Sequence, residues 1–473
     1  MPSHDEILVR LTALRAADAP THGGHVLSYV YDSGLAELDE LAAQAMRLVQ
    51  PVNGLDPTTF SSVAVMEREL IGFARSLLGG DSAVVGSITT GGTESCLLAV
   101  KTARDNFTGT GTPRLLAPVT VHAAFHKAAH YFGLTLDLVP VGSDGVVLAE
   151  SMIDRMGADV ALVVVSAPSY PHAALDPIVA VAGAAAERAI DCHVDACIGG
   201  LVLPFWPDLE PWDFRVPGVT SLSADLHKFG YAPKGASVLL QRGRDRQRSQ
   251  YFATTRWPGY PVVNSTMLGS KSAGPLAAAW AIVQALGVEG FGELAASCHR
   301  STLALLNLID SIEGLRVVGA PVGPLLAVAT DESVPIDRRV DPHHWADQAR
   351  AHGWLLQLQP GMTQSDGTQL PHTTHLTITP VTEAVLPELS AALTLAAAEV
   401  RGTPQVQLAG LPAVSEPLDS ESAFALLGAL GVGAGDSALP DRLAPLLALM
   451  QELPAPISER LLTELLARLV EPH

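Results

Sequence analysis

The stretch Ser223-Ala-Asp-Leu-His-Lys-Phe-Gly-Tyr-Ala-Pro-Lys-Gly235 is the most informative part of the 473-residue chain. Its Lys228 follows a histidine, comes after a short β-like run at 219–222 and precedes a loop rich in glycine and proline. A lysine held at a strand end and facing a pocket can form a Schiff base with an aldehyde cofactor. An isolated His-Lys pair is usually a surface feature, so this interpretation depends on the segments that accompany it.

A glycine turn is the second informative segment, Gly86-Ser-Ile-Thr-Thr-Gly-Gly-Thr-Glu-Ser95. The pair Gly91-Gly92, followed by Thr93, opens a helix with periodic apolar residues. Free backbone N–H groups at the start of a helix, together with the positive end of its dipole, form an anion site. For this segment alone, an ordinary helix with Thr93 as its N-cap is the commoner arrangement.

An aspartate at a strand end is the third feature, in Cys192-His-Val-Asp-Ala-Cys-Ile-Gly-Gly200. Asp195 follows an alanine-rich helix predicted at 178–189 and a short strand. A carboxylate there can pair with a protonated pyridine nitrogen and keep the ring cationic, so that the ring takes up electrons released at a substrate Cα. The ordinary alternative is an aspartate that caps the next turn.

In the order glycine turn, aspartate and lysine, these segments resemble the sphingosine-1-phosphate lyases of the pyridoxal-phosphate (PLP) group II decarboxylase family. The resemblance covers roughly residues 20–400 and is strongest between 86 and 240. It implies that Lys228 forms the Schiff base with PLP and that Asp195 pairs with the ring nitrogen. The residues implied to contact the cofactor are Gly91, Gly92, Thr93, Ser95, His122, Asp195, Ser223, His227 and Lys228.

His122 matches the family histidine that stacks on the pyridine ring. His122, His126 and His130 also recur every four residues, and on a helix they would form one stripe with a spacing that can bind zinc. No carboxylate or thiolate accompanies them, so we predict no metal site. For the same reason the remaining paired histidines are predicted to be structural: His343, His344, His372 and His375.

The resemblance also implies substrate contacts, and here the chain departs from the family pattern. The implied contacts are Lys234, Tyr170, His172, Asp56, Asn53, Tyr31 and Lys271. Asp56, in Asn53-Gly-Leu-Asp-Pro57, stands where the lyases have a histidine, and a carboxylate there would repel a substrate phosphate. The sequence therefore predicts weak or no activity on long-chain sphingoid phosphates. Residues 361–369 are interpreted as an insertion that could serve as a lid.

Three functions remain open at this point. The first is retro-aldol cleavage of a phosphorylated amino alcohol. In that chemistry the substrate amine displaces Lys228 and the Cα–Cβ bond breaks. The second is decarboxylation of an amino acid, with Lys234 or Lys271 as the cationic clamp for the carboxylate. The third is an inactive binding protein with a PLP fold, against which the intact set of His122, Asp195 and Lys228 argues.

The predicted fold class is α/β, the PLP-dependent transferase fold type I. Helical stretches alternate with β-like runs at 114–117, 135–139, 159–165, 192–194 and 236–240, which predicts a mostly parallel sheet covered on both faces. Ligands of such sheets lie at the carboxyl ends of the strands. The predicted parts are an N-terminal arm (1–57), a large PLP-binding domain (58–290), a smaller α+β domain (291–401) and a helical extension (402–473). The extension has two predicted helices, near 440–451 and 457–469. We interpret them as a dimer-packing element, with a partner-binding helix pair as the alternative.

Composition limits the partners and the compartment. The net charge of −20 and the pI near 5.1 disfavour nucleic acid and anionic membranes as partners. The four cysteines form no CxxC pair, which favours reduced thiols in the cytoplasm. We predict neither a secretory signal nor a membrane span. The resemblance implies a homodimer with active sites near the interface and a small amine or amino acid as substrate.

Overall fold

The computed structural model describes residues 1–406, 418–429 and 442–472. The helices in these ranges are α1 (His4–Arg15), α2 (Ala36–Leu48), α3 (Ser61–Leu77), α4 (Gly92–Asn106), α5 (Ala123–Phe132), α6 (Ala149–Ile153), α7 (Ile178–Glu187), α8 (Arg244–Ser249), α9 (Gly274–Ser311), α10 (Pro342–Ala351), α11 (Thr382–Val400), α12 (Ser420–Ala429), α13 (Ala444–Glu452) and α14 (Ala455–Leu469). The strands are β1 (Val84–Thr89), β2 (Arg114–Pro118), β3 (Thr135–Val139), β4 (Val160–Ser166), β5 (Asp191–Asp195), β6 (Ser221–Ala224), β7 (Ser237–Arg242), β8 (Phe252–Thr254), β9 (Val262–Asn264), β10 (Leu315–Val317), β11 (Leu325–Thr330), β12 (Gln357–Gln359), β13 (Met362–Thr363), β14 (Gln369–Leu370) and β15 (Thr373–Thr377).

A seven-stranded sheet forms the centre of the larger part of the chain, in the order β1-β7-β6-β5-β4-β2-β3. The five strands from β6 to β3 run parallel, whereas β7 is antiparallel to both β1 and β6. Every residue of β4 is buried, as expected for a parallel strand that helices cover on both faces. The predicted mostly parallel α/β sheet is confirmed. Asp195 ends β5, and the loop that carries Lys228 follows β6 at the same edge.

A four-stranded antiparallel sheet, in the order β10-β11-β15-β12, lies in the smaller part of the chain. Together with α10 and α11 it encloses a second core that includes Trp345, Leu376 and Leu393. The long helix α9 runs from the large part into the small part. Its Gly287 has φ 57° and ψ −171°, so two helical segments meet there, close to the predicted boundary at 290. The boundaries at 57, 290 and 401 stay predictions.

Helix α9 is also the one helix in the described ranges that is long and apolar enough to cross a membrane by length and composition. Half of its most apolar 18-residue window is buried, and the helix packs against α2, α3 and α11. The predicted absence of a membrane span stays a prediction.

The C-terminal helices α12, α13 and α14 share a small apolar core that includes Leu427, Leu449 and Leu461. Helices α13 and α14 fall where two amphipathic helices were predicted, whereas α12 was not predicted. Asp347 on α10 ties this group to the rest of the chain, because its carboxylate accepts hydrogen bonds from the backbone N–H groups of Leu443 (2.8 Å) and Ala444 (3.0 Å) at the start of α13. The packing role predicted for the extension stays a prediction.

Three buried histidines predict that acid weakens the fold. Burial lowers the pKa of His193 and of His343 to about 4, and that of His375 to about 3. A histidine with a depressed folded-state pKa stabilises the protein fully above its unfolded value of about 6.5, and this stabilisation is lost as the pH falls toward the folded value. Each pH unit of displacement corresponds to about 1.4 kcal/mol, so we expect a loss on the order of several kcal/mol between pH 6.5 and 4.

Urea unfolding at pH 7, 5.5 and 4.5 measures this loss. In His343→Gln the pH dependence should become shallower, because the amide can still donate to the carbonyls of Gln359 and Thr373, which lie 2.9 and 3.2 Å from His343 Nε2, and does not titrate. A free energy of unfolding that stays constant over this range would contradict the prediction.

Candidate active site

Two cavities meet at Lys228, at the carboxyl edge of the large sheet. The larger has a volume of about 520 Å³ and lies between the glycine turn, α4 and the lysine loop. Its lining includes Gly91, Gly92, Thr93, His122, Lys127, Cys197, Asp225, His227, Lys228 and Met267. The smaller is lined by His122, Ser166, Pro168, Tyr170, Asp195, Cys197, Ile198 and Lys228. Most of the predicted cofactor contacts are therefore brought together around one lysine.

Lys228 forms an ion pair within its own loop. Its Nζ lies 3.1 Å from Oδ2 of Asp225, whose side chain is only 2% exposed. Burial by itself would lower the pKa of Lys228, but Asp225, followed by Tyr31, Cys197 and Asp195, holds that pKa well above its usual value. Asp225 lies inside the motif that identified Lys228, yet the sequence analysis did not assign it a role.

The glycine turn needs glycine at two successive positions. Gly91 has φ 154°, in the region that disfavours L side chains. A Cβ on Gly92 would lie 2.6 Å from Oδ2 of Asp225 and 2.8 Å from Sγ of Cys197. The N-cap of α4 is Gly91, with no side-chain hydrogen bond, so the alternative in which Thr93 caps the helix is wrong. The first N–H groups of α4 are positioned to bind an anion at the larger cavity.

Glu94 fixes this turn, which the sequence analysis did not anticipate. Its Oε2 accepts hydrogen bonds from the amide (2.7 Å) and hydroxyl (2.8 Å) of Thr90, and its Oε1 accepts one from the amide of Met267 (2.7 Å). Because the N-cap is Gly91 and Glu94 reaches one residue further back, to Thr90, the arrangement is not a capping box. An acidic residue in the first turn of the helix is the one local signal that could have pointed to it. Glu94 joins the glycine turn to the loop that closes the larger cavity.

The structure places two predicted cofactor contacts beneath the site. The hydroxyl of Ser95 bonds to those of Thr89 (2.7 Å) and Ser237 (2.9 Å) and is fully buried. The hydroxyl of Ser223 bonds to His193 Nε2 (3.1 Å) and accepts from the thiol of Cys197 (3.2 Å). Because these bonds occupy both hydroxyls, neither serine faces a cavity; they support the strands that carry the site.

Asp195 lies at the end of β5 and is 7% exposed. Its Oδ1 accepts a hydrogen bond from the amide of Cys197 (3.1 Å). Burial would raise the pKa of Asp195, but His122 and Lys228, together with the Cys197 amide and His193, hold that pKa below its usual value. The carboxylate is therefore charged at neutral pH and can pair with a cation in the smaller cavity.

Two thiols flank this carboxylate. Ligand atoms of Cys96, Cys197 and Asp195 lie within 4.8 Å of one another. A hydrogen bond with the Cys96 thiol, followed by burial, raises the pKa of Cys197. The same bond lowers the pKa of Cys96, but burial and the nearby Asp195 and Asp225 raise it overall, so both sulfurs are neutral at physiological pH. The predicted absence of a metal stays a prediction.

His122 and His227 both line the larger cavity together with Lys228. His122 is the N-cap of α5, where its Nδ1 accepts from the amide of Ala124 (3.1 Å). Since the helix begins after His122, the three-histidine stripe considered for zinc does not form on one helix. His227 Nδ1 accepts from the amide of Ala236 (3.3 Å), and its Nε2 lies 3.6 Å from Asp225.

Three predicted substrate contacts lie near Lys228. Lys234 Nζ lies 4.6 Å above the ring of Tyr31 and donates to the carbonyl of His227 (3.2 Å). Burial, with a further contribution from Lys228, lowers the pKa of Lys234 to about 8. The Tyr170 hydroxyl donates to Gln357 (2.6 Å), and its ring stacks on that of His375 at 4.2 Å. Gln357 on β12 and His375 on β15 thus hold the Tyr170 side chain from the small sheet, and neither lines the two cavities.

The other predicted substrate contacts do not line either cavity. Asp56 accepts hydrogen bonds from Thr58 and Thr59, which lower its pKa to about 2. Asn53 Oδ1 accepts from the amide of Lys271 (3.3 Å), and the Lys271 ammonium binds Glu67 (3.2 Å) and a carbonyl. Each of these groups is occupied by local bonds. In the single chain Asp56 is therefore not placed to repel a substrate phosphate. The low activity predicted from that repulsion has no support in this geometry.

His172 and the proposed lid also lie away from Lys228. His172 is 6% exposed and lies against Gly145. The 361–369 segment forms most of the β13–β14 hairpin, and Gln364 in its connecting loop bonds both backbone groups of Val141, at 2.8 and 2.9 Å. The hairpin is therefore anchored to the loop after β3, and none of its residues lines a cavity that contains Lys228.

The residues present fit PLP. The larger cavity has the size of a cofactor site, and a Cβ at Gly92 would intrude on the carboxylate and thiol that line it. PLP supplies an aldehyde that condenses with an amine and a ring that withdraws electrons from a breaking bond. Lys228 would provide that amine, Asp195 would pair with the ring nitrogen, and the start of α4 would bind the phosphate. His122 would cover one face of the ring.

Comparisons with known proteins agree with this site. The family model described as the pyridoxal-dependent decarboxylase conserved domain matches residues 60–322. A second model, for a candidate C-terminal HTH domain of pyridoxal-dependent enzymes, matches residues 381–468. The latter match begins at Val381, the residue before α11, and crosses the predicted boundary at 401.

Sphingosine-1-phosphate lyases are among the similar proteins. That of Dictyostelium discoideum is 36% identical over 350 residues, covering 72% of this chain and 66% of the relative. Sphingosine-1-phosphate lyase 1 of Rattus norvegicus is 35% identical over 356 residues, covering 74% of this chain and 61% of the relative. The chain thus spans slightly less than two thirds of the length of these curated relatives.

Solved structures show the same fold. The sphingosine-1-phosphate lyase of Burkholderia pseudomallei is 32% identical, with a TM-score of 0.76 over 84% of this chain and 90% of that one. Glutamate decarboxylase of Lactobacillus brevis has a TM-score of 0.74 at 17% identity, a likeness of fold alone. The predicted fold type is confirmed. The family model, the similar proteins and the site formed by Lys228, Asp195 and the glycine turn all agree. The chain therefore belongs to the pyridoxal-dependent decarboxylase family, and PLP is its cofactor.

Proposed function

We propose that the chain is a PLP-dependent lyase that cleaves the Cα–Cβ bond of a phosphorylated amino alcohol. One observation carries the substrate class: Lys234 places a second cation next to Lys228. Lys234 forms no salt bridge in the part of the chain that the structure describes, so its ammonium is available to an anion. The similarity to sphingosine-1-phosphate lyases at 32–36% identity supports the same assignment.

The arrangement separates two tasks along one loop. Lys228 lies where the substrate amine must arrive, and Lys234 lies six residues further along, over the ring of Tyr31. Burial, together with Lys228, lowers the pKa of Lys234 to about 8, so the ammonium is mostly charged at neutral pH. The residue is exposed, so an anion can reach it, and a substrate phosphate there would form a charge-assisted hydrogen bond. The substrate would thus be held by its amine at one lysine and by its phosphate at the other.

The proposed reaction needs no further reagent. The electron pair of the Cα–Cβ bond stays with Cα, which then gains a proton. The hydroxyl on Cβ loses its proton, and Cβ becomes an aldehyde. The products are an aldehyde and an amine that retains the phosphate.

The choice of broken bond is tested by measuring both possible products. Cofactor-loaded protein is incubated with sphingosine 1-phosphate, with a short-chain phosphorylated amino alcohol and with a panel of amino acids. We expect aldehyde and an equal amount of phosphorylated amine from the phosphorylated amino alcohols. Release of carbon dioxide from amino acids without aldehyde from any amino alcohol would contradict the proposal and identify a decarboxylase.

Lys234→Met tests the phosphate contact, with Lys271→Met as the matched control because that ammonium is already bound by Glu67. Loss of a charge-assisted contact is worth about 1.5–3 kcal/mol, which corresponds to a roughly 10- to 100-fold higher KM for the phosphorylated substrate. Lys234→Met should keep the cofactor absorbance. The contrary outcome is that Lys271→Met, and not Lys234→Met, loses the preference for phosphorylated over unphosphorylated substrate. Lys271 would then be the phosphate contact.

We further propose that the enzyme is a cytoplasmic homodimer. Tyr131, Met267 and Leu268 are exposed and line the larger cavity, and Trp257 and Tyr260 are exposed between β8 and β9. A second copy would cover these apolar side chains. The four cysteines are free, which supports a reducing compartment. The molar mass in solution tests the dimer, and a monomeric mass at micromolar concentration would contradict it.

A further inference from the structure

Asp225 is a buried carboxylate with an unusual set of neighbours. Its side chain is 2% exposed, and Oδ2 lies 3.1 Å from Lys228 Nζ and 3.6 Å from His227 Nε2. Its Oδ1 is buried and has no hydrogen-bond partner among the described residues. A buried carboxylate with an unpaired oxygen is costly to the fold. That cost indicates that the carboxylate serves the site.

We propose that Asp225 is a positioning residue that holds the ε-nitrogen of Lys228 in its cationic form against the wall of the cofactor cavity. The inference goes beyond the proposed function, because it concerns the lysine and the cofactor and does not depend on the substrate.

The geometry separates this role from a structural one. The side chain of Asp225 accepts no backbone hydrogen bond within the described ranges, so it caps neither a turn nor a helix there. Its position is set by the backbone instead: its amide donates to the carbonyl of Cys197 (3.1 Å), and its carbonyl accepts from the amide of Lys228 (3.3 Å). The turn at Gly92 closes over the carboxylate, leaving no space for a Cβ. With that side closed, the carboxylate faces Lys228 and the larger cavity.

Several other titratable groups face Lys228, and none duplicates Asp225. Asp195 and Cys197 approach from the end of β5, Cys96 from α4 and His122 from the start of α5. Tyr31, Tyr170, His227 and Lys234 lie on the remaining sides. The charge of Asp195 acts on His122 as well as on Lys228. Lys234 is itself a cation, so it disfavours a positive charge on Lys228. Among the groups that raise the pKa of Lys228, Asp225 contributes most.

The charge has opposite effects before and after the cofactor is attached. Attachment requires the neutral amine, because its lone pair attacks the aldehyde carbon and water leaves. Asp225 therefore slows attachment at neutral pH. In the loaded protein, a proton that Asp225 held on the same nitrogen would make the carbon bonded to it more electrophilic toward a substrate amine. Asp225 thus favours exchange of the lysine for the substrate over initial loading.

Asp225→Asn tests this pair of effects with two readouts that do not depend on turnover. The first is the rate at which apo-protein attaches PLP at pH 7, followed by borohydride reduction and mass spectrometry. The second is the pH midpoint of the absorbance change of the loaded protein. Removing an opposite charge at this distance lowers a pKa by about 1–3 units. We therefore expect attachment at least about tenfold faster at pH 7 and a midpoint lower by at least about one pH unit.

Two controls distinguish charge from folding. Asp225→Glu retains the charge and should restore the wild-type midpoint at least in part. Asp213→Asn removes another fully buried carboxylate with an unpaired oxygen, which binds Arg215 and lines neither cavity, and should leave both readouts unchanged. An unchanged midpoint in Asp225→Asn, or an equal shift in Asp213→Asn, would overturn the proposal.

The wild-type protein gives an independent test if Asp225→Asn does not fold. With the pKa of Lys228 raised, the attachment rate should rise about tenfold per pH unit up to at least pH 9. A rate that levels off below pH 9 would show that the lysine is not held as a cation, and the proposal would fail.

Discussion

Lys228→Ala should remove both covalent cofactor binding and turnover. Lys228 is the lysine at which the two cavities meet, and a primary amine there is required for the Schiff base. The purified wild-type protein should be yellow, with an absorbance band near roughly 420 nm that is general for such Schiff bases. In Lys228→Ala this band should be absent, and turnover should fall below detection.

Lys127→Ala is the matched control for this loss. Lys127 also lines the larger cavity, but its ammonium lies 5.4 Å from the ring centre of Tyr131, away from Asp225. The control should keep the band and most of the activity. Covalently bound cofactor in Lys228→Ala would refute the assignment.

Asp195→Ala should have the second-largest effect, because it removes the carboxylate that would pair with the ring nitrogen. The protein should still bind PLP through Lys228 and the start of α4. Loss of a preorganised electrostatic contact in a buried site lowers kcat by about 10²–10³-fold. The comparison is made on cofactor-loaded protein, so that binding and turnover are separated.

Asp176→Asn serves as the control for Asp195. Asp176 is a nearby buried carboxylate that accepts from the amide of Ser166 (2.7 Å) and lines neither cavity. Burial raises its pKa to about 7, so an uncharged amide should be tolerated there. A near-normal rate in Asp195→Ala would exclude its role at the ring nitrogen.

The parallel core of the fold could be predicted from its strands because they are short, apolar and separated by helices. Residues 135–139 were predicted as a strand and form β3, and the run at 159–165 lies within one residue of β4. The strand β1 was missed because Gly86 and the polar residues around it suggest a turn. A Cβ on Gly86 would lie 2.7 Å from the carbonyl oxygen of Leu239, so the close approach of β7 requires glycine.

At the site, motifs identified the residues but not the direction of their side chains. Ser95 and Ser223 stand within cofactor motifs, yet buried partners turn both hydroxyls away from the cavity. Asp225 stands within the lysine motif, but only the fold shows that its carboxylate meets the ammonium. Gln357 and His375 reach Tyr170 from the small sheet, and these contacts, 187 and 205 residues apart in the chain, leave no local signal.

Peptide mapping of the cofactor attachment site tests the central claim most directly. Loaded wild-type protein is reduced with borohydride, digested and analysed by mass spectrometry, with unreduced protein as the control. The account predicts one modified residue, Lys228, in the peptide that contains Asp225 and His227. Modification of Lys127, Lys234 or Lys271 in its place, or a reduced protein without any modified lysine, would contradict it.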